Sequence, residues 1–204
     1  MRKFGRWMFV SICLVVVIIF FYAQIDNTSG ILLDNWVYSN LVIITPFWTA
    51  YFKFMTFWAE PITIVILCMM TLITLIFKKR SSLYLIGFLI ISTVINQILK
   101  YLVARPRPDL ALIEVSGHSF PSGHAMGAVS FYGFIIWLVF RSKLNNKIKV
   151  VVNGILTFLI INICYSRIYL GVHYFSDVLS GALISLSLLL ISTYYIKKYQ
   201  KEGI

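Results

Sequence analysis

The stretch LYLIGFLIISTVINQILKYLVARPRP, Leu83 to Pro108, decides how the chain must be read. Its residues Leu83 to Leu99 carry no charge, and the run then closes on Lys100, Arg105, Pro106, Arg107 and Pro108. A helix that crosses a bilayer needs about 20 mostly apolar residues, with a range of about 17–25. The two prolines set where such a helix must stop. Five other runs have the same character. The predicted spans are 7–23, 61–77, 83–104, 122–140, 150–167 and 176–196. Basic residues close several of them: Lys78-Lys79-Arg80, Arg141 and Lys197-Lys198.

Composition points the same way. The 204 residues are 60% hydrophobic and 12% charged, against about 45–50% and about 25% in soluble domains. An ordinary soluble domain, a disordered chain and a disulfide scaffold are excluded. The expected fold class is all-α: a polytopic membrane protein with six transmembrane helices and an interfacial helical segment. It forms a single integral-membrane domain over 1–204. The run 7–23 follows Arg2, Lys3 and Arg6 and has the outline of a signal peptide, but Phe21 stands where a cleavage site wants a small residue. A retained span is expected. Residues 36–58 hold nine aromatics, Pro46 and Lys53. They read either as a seventh span or as a helix lying at headgroup depth, where aromatic rings collect.

Charge placement separates these readings. The net charge is +11, from 18 Lys+Arg against 7 Asp+Glu. With six spans and both termini cytoplasmic, segments 1–6, 78–82, 141–149 and 197–204 hold thirteen of the 18 basic residues. Asp26, Asp34, Glu60, Asp109, Glu114 and Asp177 then fall outside or at the outer boundary. A seventh crossing would put the first basic cluster opposite the other three. The basic balance is therefore topology under the positive-inside rule, with no nucleic-acid partner expected. Cys13, Cys68 and Cys164 each lie in an apolar run, and no zinc spacing occurs.

Charges at membrane boundaries are costly and mark functional sites. Here they gather at one expected face: Lys100, Arg105 and Arg107 after span three, His118 and His124 around the start of span four, and Arg167, His173 and Asp177 between spans five and six. Lys100 and Arg107 are seven apart and would share one helical face, with Thr93, Asn96 and Lys100 extending a polar stripe inward. Pro121-Ser122-Gly123-His124 opens a helix, where a serine cap and free backbone N–H groups suit an anion. His173 and Asp177 are i, i+4 and would share a helix face, so that a carboxylate can fix the imidazole tautomer. Each feature alone also reads blandly, as a snorkelling lysine, an ordinary cap or a self-satisfied boundary pair. Together, three cations, two histidines and a carboxylate describe a site for a phosphoryl group.

The motifs Lys100-x6-Arg107-Pro108, Pro121-Ser122-Gly123-His124 and Ser166-Arg167-x5-His173-x3-Asp177 resemble, in order and spacing, the three signature motifs of the type-2 phosphatidic acid phosphatases. The resemblance implies that His173 is the nucleophile forming a phosphohistidine, that Asp177 orients it, and that His124 is the acid for the leaving group. It implies that Lys100, Arg107 and Arg167 hold the phosphate while Ser122 and Gly123 complete the cradle. It implies no metal and no cofactor, in keeping with outer acids that lack paired spacing for Mg²⁺. Arg105 and His118 lie beside the motifs and are candidate further substrate contacts, Arg105 for a second phosphate or a headgroup. The implied activity is hydrolysis of a lipid phosphate or diphosphate at the outer leaflet of a bacterial plasma membrane. Undecaprenyl diphosphate and phosphatidylglycerol phosphate are the leading substrates. A phosphotransferase using the same residues, and a non-catalytic lipid-binding protein, are the competing classes. The expected partners are the lipid substrate and the bilayer, with no obligate protein partner. The aromatic segment 36–58 is either an interfacial anchor or a lateral gate for lipid.

Overall fold

A computed structural model describes residues 31–74 and 79–201, with backbone alone at 74, 79–82 and 197–201. All its regular structure is helical: α1 Leu32–Leu41, α2 Pro46–Phe57, α3 Pro61–Thr74, α4 Lys79–Val103, α5 Gly123–Arg141, α6 Asn146–Tyr169 and α7 Phe175–Lys201. Four stretches among the described residues are long and apolar enough to cross a membrane: Leu83–Val103, Gly123–Arg141, Asn146–Tyr169 and Phe175–Ile196. A fifth arises if Pro46–Phe57 and Pro61–Ile73, bent by 50° at their junction, form one broken span. The expected span 7–23 lies outside the described residues. The stretch 36–58, expected as one interfacial segment, is divided between α1 and α2, and α2 packs on α6.

Helix boundaries follow local chemistry. Thr45 caps α2, its hydroxyl accepting from Trp48 N, with Pro46 in the first turn. Asn145 caps α6 through its Oδ1 and Lys147 N, 2.9 Å. α4 stops at Val103, with Ala104 left-handed at φ 48. The cause is steric: Arg105 and Arg107 each precede a proline, which drives them out of the helical region.

α5 is the hub. Its residues Ala125, Met126 and Ala128 to Phe134 are buried, and the small ones among them, Ala125, Ala128, Ser130 and Gly133, let neighbouring backbones close in. Phe88 of α4, Phe131 and Phe134 of α5, Ile163 of α6 and Leu189 of α7 form the core. Ser92, Ser130 and Ser185 are buried together where α4, α5 and α7 meet, with Ser92 Oγ 2.8 Å from Ser130 Oγ. Such hydrogen bonds tie helices where no water competes. The opposite surfaces are apolar and open, as on α6 at Val150, Val151, Ile155, Phe158 and Ile161, which suits contact with lipid tails.

This packing corrects the predicted stripe on α4. Thr93 is exposed, while Ser92 and Asn96 are buried, so the polar line is Ser92, Asn96, Lys100. One residue is about 100° of helix rotation, and the serine partners on α5 and α7 settle the register.

Candidate active site

The end of α4, the start of α5, the end of α6 and the start of α7 lie at one end of the bundle. Backbone bonds lace their loops together. Leu112 N donates to Leu170 O at 2.9 Å, Ser119 N to Arg105 O at 2.9 Å and Ser122 N to Asp177 O at 3.1 Å. Gly171 makes the tightest crossing: it sits at φ +66, and a Cβ there would lie 2.3 Å from Leu110 O. Only glycine fits both the left-handed backbone and that approach.

Lys100 Nζ reaches over to His118 O, 2.5 Å away. Arg107 is not on the face of α4 that its spacing from Lys100 suggested, because the helix has already ended. It is held in the following loop by its fork. Its Nε donates to Gly117 O at 3.0 Å, Nη2 to Ser116 O at 3.0 Å and Nη1 to Val172 O at 2.8 Å. Arg167, 2% exposed, donates from Nη1 to Thr56 Oγ1, and its buried Nε has no partner among the described residues. Every acceptor for these three cations is neutral, and among the described residues no carboxylate forms a salt bridge with them. Three cations thus converge with no carboxylate in direct contact, an arrangement that draws an anion.

His173 sits among them, 3% exposed, in the turn before α7 and not on the helix that its spacing to Asp177 suggested. Its Nε2 lies 3.3 Å from Arg107 Nη1. An arginine has only donors, so this nitrogen carries the lone pair and Nδ1 carries the proton. Nδ1 faces Asp177 Oδ2 at 3.6 Å, an ion-pair distance longer than a hydrogen bond. Burial, reinforced by Arg167, Arg107 and Lys100, holds the imidazole pKa well below the ordinary 6.5. His173 is therefore neutral at neutral pH, with its free nitrogen on the cation side.

His124 has the opposite tautomer. Its Nε2 is 3.2 Å from Glu60 Oε1, and an ionised carboxylate only accepts, so Nε2 carries the proton. Ser122 caps α5, its Oγ accepting from Ala125 N at 3.4 Å, and is wholly buried. It braces this turn from beneath. Gly123 is where a Cβ would press against Asn96 Oδ1 at 3.2 Å, while Asn96 Nδ2 donates to Pro121 O at 3.1 Å. Across from it a Cβ at Gly181 of α7 would fall 2.8 Å from Ser122 O. The backbone of the α5 turn is thus clamped between α4 and α7.

Arg105 departs from expectation. It is 0% exposed and both arms of its fork are taken. Nη2 bonds Asp34 Oδ2 at 3.0 Å, and Nη1 bonds Asp177 Oδ1 at 2.5 Å and Ser176 Oγ at 2.8 Å. Its guanidinium carbon stacks 4.0 Å from the Tyr174 ring centroid. Two carboxylates neutralise it and its side chain is enclosed, unlike the cations Lys100 and Arg107. Asp34 of α1 also accepts from Ser176 N at 2.7 Å and Ser176 Oγ at 2.8 Å. His118 is partly exposed and packs edge-on to Tyr101, 6.4 Å between ring centroids. Among the described residues no group of His, Cys, Asp and Glu is arranged to hold a metal ion.

Residues 81–201, covering α5 to α7 and nearly all of α4 with their loops, match the PAP2 superfamily. The chain belongs to the PAP2 superfamily. Phosphatidylglycerophosphatase B of Bacillus subtilis is 42% identical over 102 residues, 47% of each chain. An undecaprenyl-diphosphatase of Sulfolobus acidocaldarius is 31% identical over 149 residues, 64% of this chain and 66% of that one. The matched stretches thus span about half and about two thirds of those relatives. The whole fold resembles the crystal structure of a transmembrane PAP2 type phosphatidylglycerolphosphate phosphatase from Bacillus subtilis, with a TM-score of 0.84 at 25% identity, over 92% of this chain and 96% of that one. It also resembles Aquifex aeolicus LpxE, with a TM-score of 0.64 at 25% identity, over 80% of this chain and 93% of that one.

The candidate PAP2 residues from Lys100 to Asp177 all lie inside the matched stretch. Asp34, Thr56 and Glu60 lie before it, and sequence reasoning missed them as site residues. The signal available is weak: Asp34 and Glu60 are acids in an apolar chain, and their placement speaks only for the outer face.

Proposed function

We propose that this protein hydrolyses a lipid phosphate or diphosphate through a phosphohistidine, without a metal ion. The observation that carries the proposal is the set of cations without a direct carboxylate partner around a neutral, buried histidine. Lys100, Arg107 and Arg167 hold the phosphoryl oxygens, and the Gly123 N–H at the positive end of α5 adds a donor. His173 Nε2 attacks phosphorus in line with the leaving oxygen. The Nδ1 proton then approaches Asp177, which stabilises the charge that develops on the ring. His124 gives a proton to the leaving oxygen as the O–P bond breaks. It then takes one from the water that cleaves the phosphohistidine, freeing inorganic phosphate and restoring His173. General acid–base help of this kind is worth about 10²–10⁴-fold.

The names of the relatives support phosphatidylglycerol phosphate and undecaprenyl diphosphate as the substrates to test. The distribution of basic residues supports an active site facing outward, with both termini cytoplasmic, in a single membrane-embedded domain. The test is phosphate release by purified protein in detergent with EDTA present. Phosphatidylglycerol phosphate, undecaprenyl diphosphate and phosphatidic acid are the substrates, and His173→Ala is the control. Release by the wild type, unchanged by the chelator and absent from the variant, is expected. Activity lost to EDTA and restored by Mg²⁺ would overturn the metal-independent mechanism. Phosphate found on a lipid or sugar acceptor would make the protein a phosphotransferase.

A further inference from the structure

The elbow between α2 and α3 reaches the site from outside the stretch matched to the superfamily. Three contacts tie it down. Thr56 Oγ1 accepts from Arg167 Nη1, Trp58 O accepts from the Tyr132 hydroxyl at 2.7 Å, and Glu60 Oε1 meets His124 Nε2 at 3.2 Å. The backbone around Glu60 is fixed on both sides. Its N–H donates to Phe57 O at 3.2 Å, its carbonyl accepts from Ile64 N at 2.9 Å, Ala59 is buried and Pro61 opens α3.

We propose that Glu60 is the positioning residue of His124, holding its Nε2–H so that Nδ1 is the nitrogen that serves the scissile oxygen. This rests on the hydrolase reading. A carboxylate that only accepts can stabilise just one neutral tautomer, with the proton on Nε2. Among the described residues Nδ1 of His124 has no hydrogen-bond partner, so it is the ring nitrogen open to substrate. In the first step His124 is the imidazolium. The Nδ1 proton passes to the leaving oxygen, and the neutral ring stays bonded to Glu60 through Nε2–H. In the second step Nδ1 takes a proton from the attacking water. Glu60 remains ionised throughout, and its charge stabilises the imidazolium at either end of the cycle. The two histidines are then matched in opposite senses. A carboxylate behind Nδ1 of His173 leaves Nε2 to attack, and a carboxylate on Nε2 of His124 leaves Nδ1 to move protons. The bare exposed ion pair would be worth little. Here the pair joins residues 64 apart on two elements; the His124 side chain is 17% exposed and that of Glu60 45%, so the contact acts by aiming the ring more than by stabilising the fold.

The charged groups around His124 are Glu60 from the elbow, Arg167 from α6 and Arg107 from the loop after α4, with the titratable His173 across the site. Glu60 is the carboxylate bonded to His124, and a negative charge there favours the imidazolium, so its removal has a definite sign. Glu60→Gln keeps the shape and loses the charge. We expect kcat to fall roughly tenfold to a hundredfold, part of the 10²–10⁴-fold that a whole acid supplies. KM should stay within about twofold, as for an interaction made in the transition state. The basic limb of the kcat profile should move to lower pH, and Glu60→Asp should recover part of the rate. Nitrogen NMR of the three ring-labelled histidines in detergent reads the same claim without turnover. His124 should show Nε2–H in the wild type, a weaker preference in Glu60→Gln, whose amide can accept or donate, and none in Glu60→Leu. Unchanged kcat, pH profile and His124 resonances would overturn the role of Glu60, while a dead His173→Ala in the same assay would leave the hydrolase standing. No turnover by the wild type, with the tautomer shift still present, would overturn the hydrolase reading and leave the positioning of His124 supported.

Discussion

Replacing Arg105 by Met tests whether it supports the site from behind or touches substrate. The guanidinium lies between Asp34 and Asp177, at 3.0 and 2.5 Å, with side-chain exposures of 0%, 1% and 0% for the three residues. Arg105→Met leaves two buried carboxylates near each other with no cation. Removing one partner of a buried pair costs about 3–5 kcal/mol. For a protein of this size each kcal/mol moves the unfolding midpoint by about 2–4 °C, so a fall of roughly 6–20 °C is expected. Thermal unfolding in detergent, followed by tryptophan fluorescence, measures it. Michaelis analysis should show kcat reduced, because Asp177 loses the contact that aims it, with KM for mono- and diphosphates little changed. Adding Asp34→Asn should recover part of the stability, since one uncompensated charge is then gone. An unaltered midpoint with a raised KM for a diphosphate would refute the reasoning and return Arg105 to the substrate.

The acid limb of kcat/KM should lie below pH 6.5. The imidazolium of His173 cannot attack, and burial with three nearby cations delays its protonation to lower pH; a limb at or above 6.5 contradicts this. Arg107→Lys keeps the charge but cannot span Ser116 O, Gly117 O and Val172 O together. At about 1.5–3 kcal/mol for each charged hydrogen bond lost, kcat/KM should fall at least about tenfold, and a variant with wild-type kinetics would deny the loop clamp. Gly171→Ala should lower the unfolding midpoint. The left-handed backbone alone costs of order 1–3 kcal/mol, and the Cβ would also strike Leu110 O; an unshifted midpoint would mean that the crossing relaxes freely.

The parts of this molecule that were legible in the sequence are those that depend on neighbours along the chain. The uncharged runs gave α4 to α7 to within a few residues, and the motif spacings named the residues that meet at one end of the bundle. Arguments from helical periodicity failed where the helix was not there. Pro106 and Pro108 end α4 at Val103, so Arg107 converges on Lys100 through a loop, and His173 stands ahead of α7 because the helix starts at Phe175. The Thr93 stripe failed by one residue because Ser130 and Ser185 decide which side of α4 is polar. Arg105, Asp34 and Glu60 were out of reach for another reason. Asp34 meets Ser176 across 142 residues, and Glu60 meets His124 across 64. No spacing rule encodes such pairs, and a lone acid in an apolar chain reads equally well as a topology marker.

The central claim is a covalent phosphoryl bond to His173. The most direct measurement is rapid quenching of the purified enzyme with a ³²P-labelled lipid phosphate, followed by mass spectrometry of the labelled peptide. The account predicts an acid-labile, base-stable phosphoenzyme with the phosphoryl group on His173, absent from His173→Ala. Turnover with no trapped phosphoenzyme, or with the label on another residue, would contradict it.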